Sequence, residues 1–117
     1  MINVTSQKGS PIIEMVMKDK ISKTDIETFE ETLKQKITEQ EPVHLLITFE
    51  NLEGVTLKGL VEDLKMIKYL RSIKNVAVIT DQTWIKADAK LENLIPGIKV
   101  DFFTPDNTEA AREWLIE

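Results

Sequence analysis

Val43-His44-Leu45-Leu46-Ile47-Thr48-Phe49 and Val76-Ala77-Val78-Ile79-Thr80 are the two stretches on which the fold turns. Each is apolar on both faces that an extended chain presents, and a strand of that kind belongs inside a sheet covered by helices on both sides. The two are expected to be the interior strands. Between them Leu57, Leu60, Val61, Leu64, Ile67 and Leu70 make a wide helical stripe, broadened by Met66 and Ile73. A helix with so broad an apolar face is buried over much of its circumference.

Outward from this centre the same alternation continues. Pro11 to Lys18 reads as a half-exposed strand, with Ile13, Met15 and Met17 on one face and Ile12, Glu14, Val16 and Lys18 on the other. Ser22 and Asp25 form a Ser-x-x-Asp pattern close to a capping box, with Ile21 and Ile26 as a hydrophobic staple, so a helix should start at Ser22. Its stripe is Ile26, Phe29, Leu33 and Ile37; Glu27, Glu30, Glu31, Lys34 and Lys36 should face water, and Pro42 marks its end. After Thr80, Asp81 and Thr83 can cap a third helix with Trp84, Ala87, Leu91 and Leu94 in line, stopped by Pro96-Gly97. Ile98, Val100 and Phe102 then alternate with Lys99, Asp101 and Phe103 as an edge strand does. Asp106-x-x-Glu109, a second capping-box-like pattern, announces a last helix carrying Ala110, Ala111, Trp114 and Leu115.

Four strand–helix units in one chain imply an α/β layer structure whose neighbouring strands are largely parallel, since right-handed crossovers join them. The 117 residues show no internal repeat and no Pro/Gly-rich linker, so 1–117 is read as one domain. At this size folding buries roughly 65% of the unfolded chain's surface, enough for one core without staples. The chain has no cysteine, which excludes disulfides, a thiol nucleophile and Cys-ligated metal centres. Residues 1–10 lack a basic region followed by an apolar run, and no apolar stretch reaches the ~18–20 residues of a membrane helix; the chain is read as mature and cytoplasmic.

Fifteen Lys and Arg against 20 Asp and Glu leave a net charge of −5, which with the lack of basic runs makes nucleic acid an unexpected partner. The charge is uneven: residues 1–57 carry 6 basic and 10 acidic side chains, 58–90 carry 7 and 4, and 91–117 carry 2 and 6, giving −4, +3 and −4. The basic middle is the solvated face of helices or a surface for anionic lipid or an acidic partner. Peripheral membrane contact through Lys86, Lys90 and the third helix is one expression of the latter.

Catalytic signatures do not emerge. There is no Gly-x-Ser-x-Gly, no Gly-x-Gly-x-x-Gly and no Gly-x-x-x-x-Gly-Lys-Ser/Thr, so neither a serine nucleophile nor a phosphate cradle is encoded in recognisable form. His44, the one histidine, falls at the amino end of its strand, whereas crevices in this class open beyond the carboxyl ends. At those ends Glu50, Glu53, Thr56 and Asp81 are the polar crevice candidates. No catalytic residue, metal or cofactor is assigned. Trp84 and Ile85, opening the third helix beside the crevice, either close the core or make that helix a lid over an apolar pocket of Leu60, Leu64, Ile67, Trp84, Ile85, Ala87 and Leu91, hinged at Pro96-Gly97.

The order of elements, with Glu62-Asp63-Leu64-Lys65 in the second helix, Val76-Ala77-Val78-Ile79-Thr80-Asp81 leading to Trp84, and the closing Glu109-Ala110 with Trp114-Leu115, resembles the SpoIIAA-like family of the STAS superfamily over about residues 11–116. That superfamily is related in fold to CRAL-TRIO lipid carriers. The resemblance implies a sheet of four or five strands with one mixed edge, helices on its faces, and a cavity for an apolar ligand. Anti-sigma antagonists carry a phosphorylatable serine after the corresponding strand; this chain has Asn51-Leu52-Glu53-Gly54 there, with Thr56 the one hydroxyl that could substitute. The leading expectation is a non-enzymatic domain binding an apolar or lipid-like molecule under the third helix. The second is a protein-interaction module, homodimeric through the basic second helix or the edge strand Ile98 to Phe103.

Overall fold

In a computed structural model, residues 1–6, 9–39, 42–51, 53, 62, 69–81 and 97–117 are described. Five strands form one sheet in the order β1 (Ile2–Ser6), β2 (Ile12–Lys18), β3 (Val43–Glu50), β4 (Ile73–Ile79) and β5 (Lys99–Phe103). β1 is antiparallel to β2, and all later neighbours are parallel. The class is the expected α/β one, with a mixed edge at β1. Two helices are described: α1 (Lys23–Glu39) and α2 (Thr108–Ile116). The expected second and third helices fall outside the described residues, except that Glu62 is helical and exposed.

The two faces of the sheet carry unequal cores. On one, Phe29 and Leu33 of α1 pack against Ile13, Met15, Met17, Leu45, Ile47, Phe49, Val76 and Val78. On the other, Ala111 and Leu115 of α2 cover Ile12, Leu46, Ala77 and Ile79. β3 thus has a helix on each side, which is why it is apolar over most of its length.

α1 begins where the capping pattern places it. The Asp25 N–H donates to Ser22 Oγ at 3.1 Å, and the Asp25 carboxylate accepts the Ser22 N–H at 2.8 Å, satisfying two amides reciprocally. The same carboxylate accepts the Ile2 N–H at 3.1 Å and lies 3.3 Å from the Met1 amine, tying β1 to the helix start. These bonds, that from the Ser22 amide foremost, pull the Asp25 carboxyl from 3.8 down to about 2. Its contribution to stability is therefore complete above about pH 3.8 and fades as the pH falls toward 2. Asp25→Ala is expected to cost about 1–2 kcal/mol in urea unfolding at pH 7 and to flatten the acid limb of the stability profile.

Several local expectations are corrected. Ile73, placed in the helical stripe, is the first residue of β4 opposite Val43, and Leu70 lies in a 3-10 turn, Leu70–Ser72. The register passes from Val43–Ile73 to His44–Asn75, a bulge that leaves Lys74 exposed and unopposed. The extra residue lets Ile73 and Val76, three apart, join the same core. β2 is a third interior strand, because β1 covers its outer edge; its Val16 remains only partly buried. Lys36 is buried, its amine 3.8 Å from Glu39 Oε2, so its stem covers apolar surface that the sequence assigned to water. Asp106 does not cap α2. It lies in a 3-10 turn, Pro105–Asn107, in which Asn107 Nδ2 donates to Thr104 Oγ1 and the Thr108 hydroxyl to the Pro105 carbonyl. Glu109 pairs with Arg112 instead, and Ala110 is exposed.

Candidate functional site

The carboxyl ends of the parallel strands hold Glu50, Glu53 and Asp81, all exposed. Asp19 and Asn51, immediately after β2 and β3, both adopt left-handed backbone (φ 56° and 48°), which short Asp and Asn side chains tolerate. Asp19 binds the two loops together: its N–H donates to the Glu50 carbonyl at 3.4 Å, and its carbonyl accepts the Glu53 N–H at 2.8 Å. Glu53 is thereby placed beside the end of β2. Glu50 faces Lys18 across the strand pair at 4.0 Å, and among the described residues no three His, Asp or Glu side chains converge to hold a metal. Thr56 and the apolar pocket candidates Leu60, Leu64, Ile67, Trp84, Ile85, Ala87 and Leu91 lie outside the described residues.

Strands β2 to β5 follow one another across the sheet without a reversal. Open α/β sheets make ligand crevices where strand order reverses, so strand order here supplies no such crevice.

At the opposite end sit two buried polar side chains. His44 on β3 is paired in register with Asn75 on β4, and each is 7% exposed. Asn75 Nδ2 donates to the Leu115 carbonyl at 3.1 Å, satisfying one of the acceptors at the end of α2. Among the described residues His44 Nδ1 and Asn75 Oδ1 have no hydrogen-bond partner. Burial, reinforced by Lys74, pushes the His44 imidazole below its ordinary 6.5 and keeps it neutral. Protonation favours the unfolded chain, so stability is complete above pH 6.5 and declines as the pH falls below it. Chemical unfolding at pH 7.5 and pH 5.5 should show that decline, and His44→Gln should reduce it. The amino-end position matches the sequence reading and keeps His44 away from the crevice loops.

α2 is pinned to the sheet by Arg112, whose Nη2 and Nε donate to Glu14 Oε1 at 2.8 Å and Oε2 at 3.2 Å. This bidentate pair, with Glu109 also in contact, raises the Arg112 pKa and holds the guanidinium charged. Trp114 lies against Phe103, ring centres 5.9 Å apart and planes tilted by 56°. Beside that pair a cavity of about 320 Å³ is lined by Lys99, Val100, Asp101 and Trp114. The sequence placed Trp114 in the last helix and Lys99 and Asp101 on an edge strand. Their convergence depends on β5 and α2 packing together, which neither segment encodes alone.

No helix among the described residues is long and apolar enough to cross a membrane. No curated protein matches the sequence. A solved structure, an uncharacterized protein of the DUF3478 family with a SpoIIAA-like fold from Shewanella loihica PV-4, is similar at a TM-score of 0.69 and 22% identity, over 98% of this chain and 92% of that one. At that identity the likeness shows the fold. The model of the SpoIIAA-like family matches residues 12–116, from the start of β2 to the last residue of α2, and the chain belongs to the SpoIIAA-like family.

Proposed function

We propose that the chain is a cytoplasmic, non-enzymatic domain that binds an apolar or lipid-like molecule under the third sequence-predicted helix, with Trp84, Ala87 and Leu91 facing Leu60, Leu64 and Ile67. One observation carries the reading. Thr48 pairs with Ile79, so the ends of β3 and β4 that lead into the two apolar segments lie side by side at the carboxyl edge of the sheet. The wide stripe of the second segment and the narrower one of the third supply the hydrophobic and aromatic side chains that line apolar ligand sites.

Native mass spectrometry of protein purified from cells, followed by organic extraction, should reveal a bound apolar molecule. Trp84→Ala should lose that molecule with a small change in stability. A loss of about 3–5 kcal/mol in a chain that never carried a ligand identifies Trp84 as a core side chain and overturns the reading.

A second reading, an interaction module of the anti-sigma-antagonist type without the phosphorylatable serine, is favoured by the outer edge of β5 and the cavity beside Trp114. Sedimentation velocity over a concentration series tests it for self-association.

A further inference from the structure

We propose that the outer edge of β5 is a homodimerisation surface joining two copies of this chain antiparallel about a two-fold axis at Val100, with Asp101 selecting the strand that the edge accepts. The proposal rests on the second reading above and gives it a partner and a register.

The backbone directions follow from one hydrogen bond. The Thr80 N–H donates to the Phe103 carbonyl at 3.0 Å, so Phe103 points its polar groups at β4. In a parallel ladder the N–H and C=O of one residue point to the same side and successive residues alternate. Asp101 and Lys99 therefore bond inward, while Ile98, Val100 and Phe102 direct theirs outward, where no strand among the described residues lies. The outward amide of Phe102 donates instead to Oδ1 of its neighbour Asp101 at 2.8 Å. A carboxylate on an edge amide blunts the edge against arbitrary strands.

A strand that pairs here must displace Asp101, whose charge then needs a cation. An antiparallel second copy centred on Val100 provides it. Val100 meets Val100, and Ile98 meets Phe102, so the residues with outward groups form the hydrogen-bonded pairs. Lys99 falls directly opposite Asp101 twice, at the shorter cross-strand spacing of about 4.5 Å between Cα atoms. Moving the axis one residue sets Asp101 against Asp101 or Lys99 against Lys99, and like charges directly opposite repel. The Val100 register is thus the symmetric one that satisfies the carboxylate, as an isologous interface requires. The cavity between β5 and Trp114 lies on the same strand, where the partner's Lys99 and Asp101 side chains would enter.

The chain has no cysteine, so Val100→Cys introduces a single thiol at the axis. The facing Cα atoms would be about 5.5 Å apart, within disulfide reach, and mild oxidation should cross-link the variant into dimers. In sedimentation equilibrium, Lys99→Asp and Asp101→Lys should each weaken association about tenfold, and the double exchange should restore it, with circular dichroism confirming that each variant is folded. A dimer that forms without the Val100→Cys cross-link, or that ignores both charge changes, overturns the proposal and leaves self-association through another face. A strict monomer at every concentration overturns the proposal together with the reading on which it rests. Neither result bears on the apolar ligand.

Discussion

Phe29→Ala is expected to remove about 3–5 kcal/mol of stability, read as a large drop in the urea midpoint at unchanged m-value. Phe29 is fully buried at the centre of the larger core, where α1 meets β2, β3 and β4. Domains of this kind are stable by about 5–15 kcal/mol in all, so one such cavity spends a large share of the total. The sheet cannot collapse into the space, because its β-branched and long side chains on that face are already in contact. A loss below about 1 kcal/mol would show that α1 is a loosely held cover.

Leu115→Ala is expected to cost about 2–4 kcal/mol, and its effect should be local. The core under α2 is small: Ala111 and Leu115 are the buried side chains the helix contributes. The helix has nine residues, too short to persist in water on its own. Its remaining anchors, the Arg112–Glu14 pair and the Asn75 bond to the Leu115 carbonyl, need the docked helix in place. Hydrogen exchange should therefore accelerate in α2 well before it does in α1 or β2 to β4. Equal acceleration throughout would mean that the two faces unfold as one unit.

What was legible in the sequence and what was not divides by the range of the interactions. The start of α1 and its stripe were readable because capping bonds and helical neighbours lie three or four residues apart. The interior character of β3 and β4 was readable because covering both faces leaves long apolar runs, Leu45–Ile47 and Val76–Ile79, along the strands. Leu70 and Ile73 misled because, following Ile67 at intervals of three, they imitate the continuation of a helical stripe, and only the pairing of Ile73 with Val43 and the bulge at Lys74 reveal a strand. Asp106 misled because Thr104 and Asn107, equally able to serve the backbone, took the turn.

The candidate site divides in the same way. Glu50, Glu53 and Asp81 were found at the carboxyl edge because strand direction follows from the α/β alternation. The backbone clasp from Asp19, the His44–Asn75 pair beneath the end of α2 and the cavity at Trp114 were not visible, since each joins residues from strands or helices distant in the chain. By itself the sequence determined that β2 to β5, α1 and α2 form, where α1 is capped, and that β3 is covered on both sides. The tertiary structure alone decided that β1 closes one edge of the sheet, that Ile73 belongs to β4, and that Asp101 accepts the outward amide of Phe102 on the other edge. Strand partners, unlike helical ones, are chosen from the whole chain, and no local window contains them.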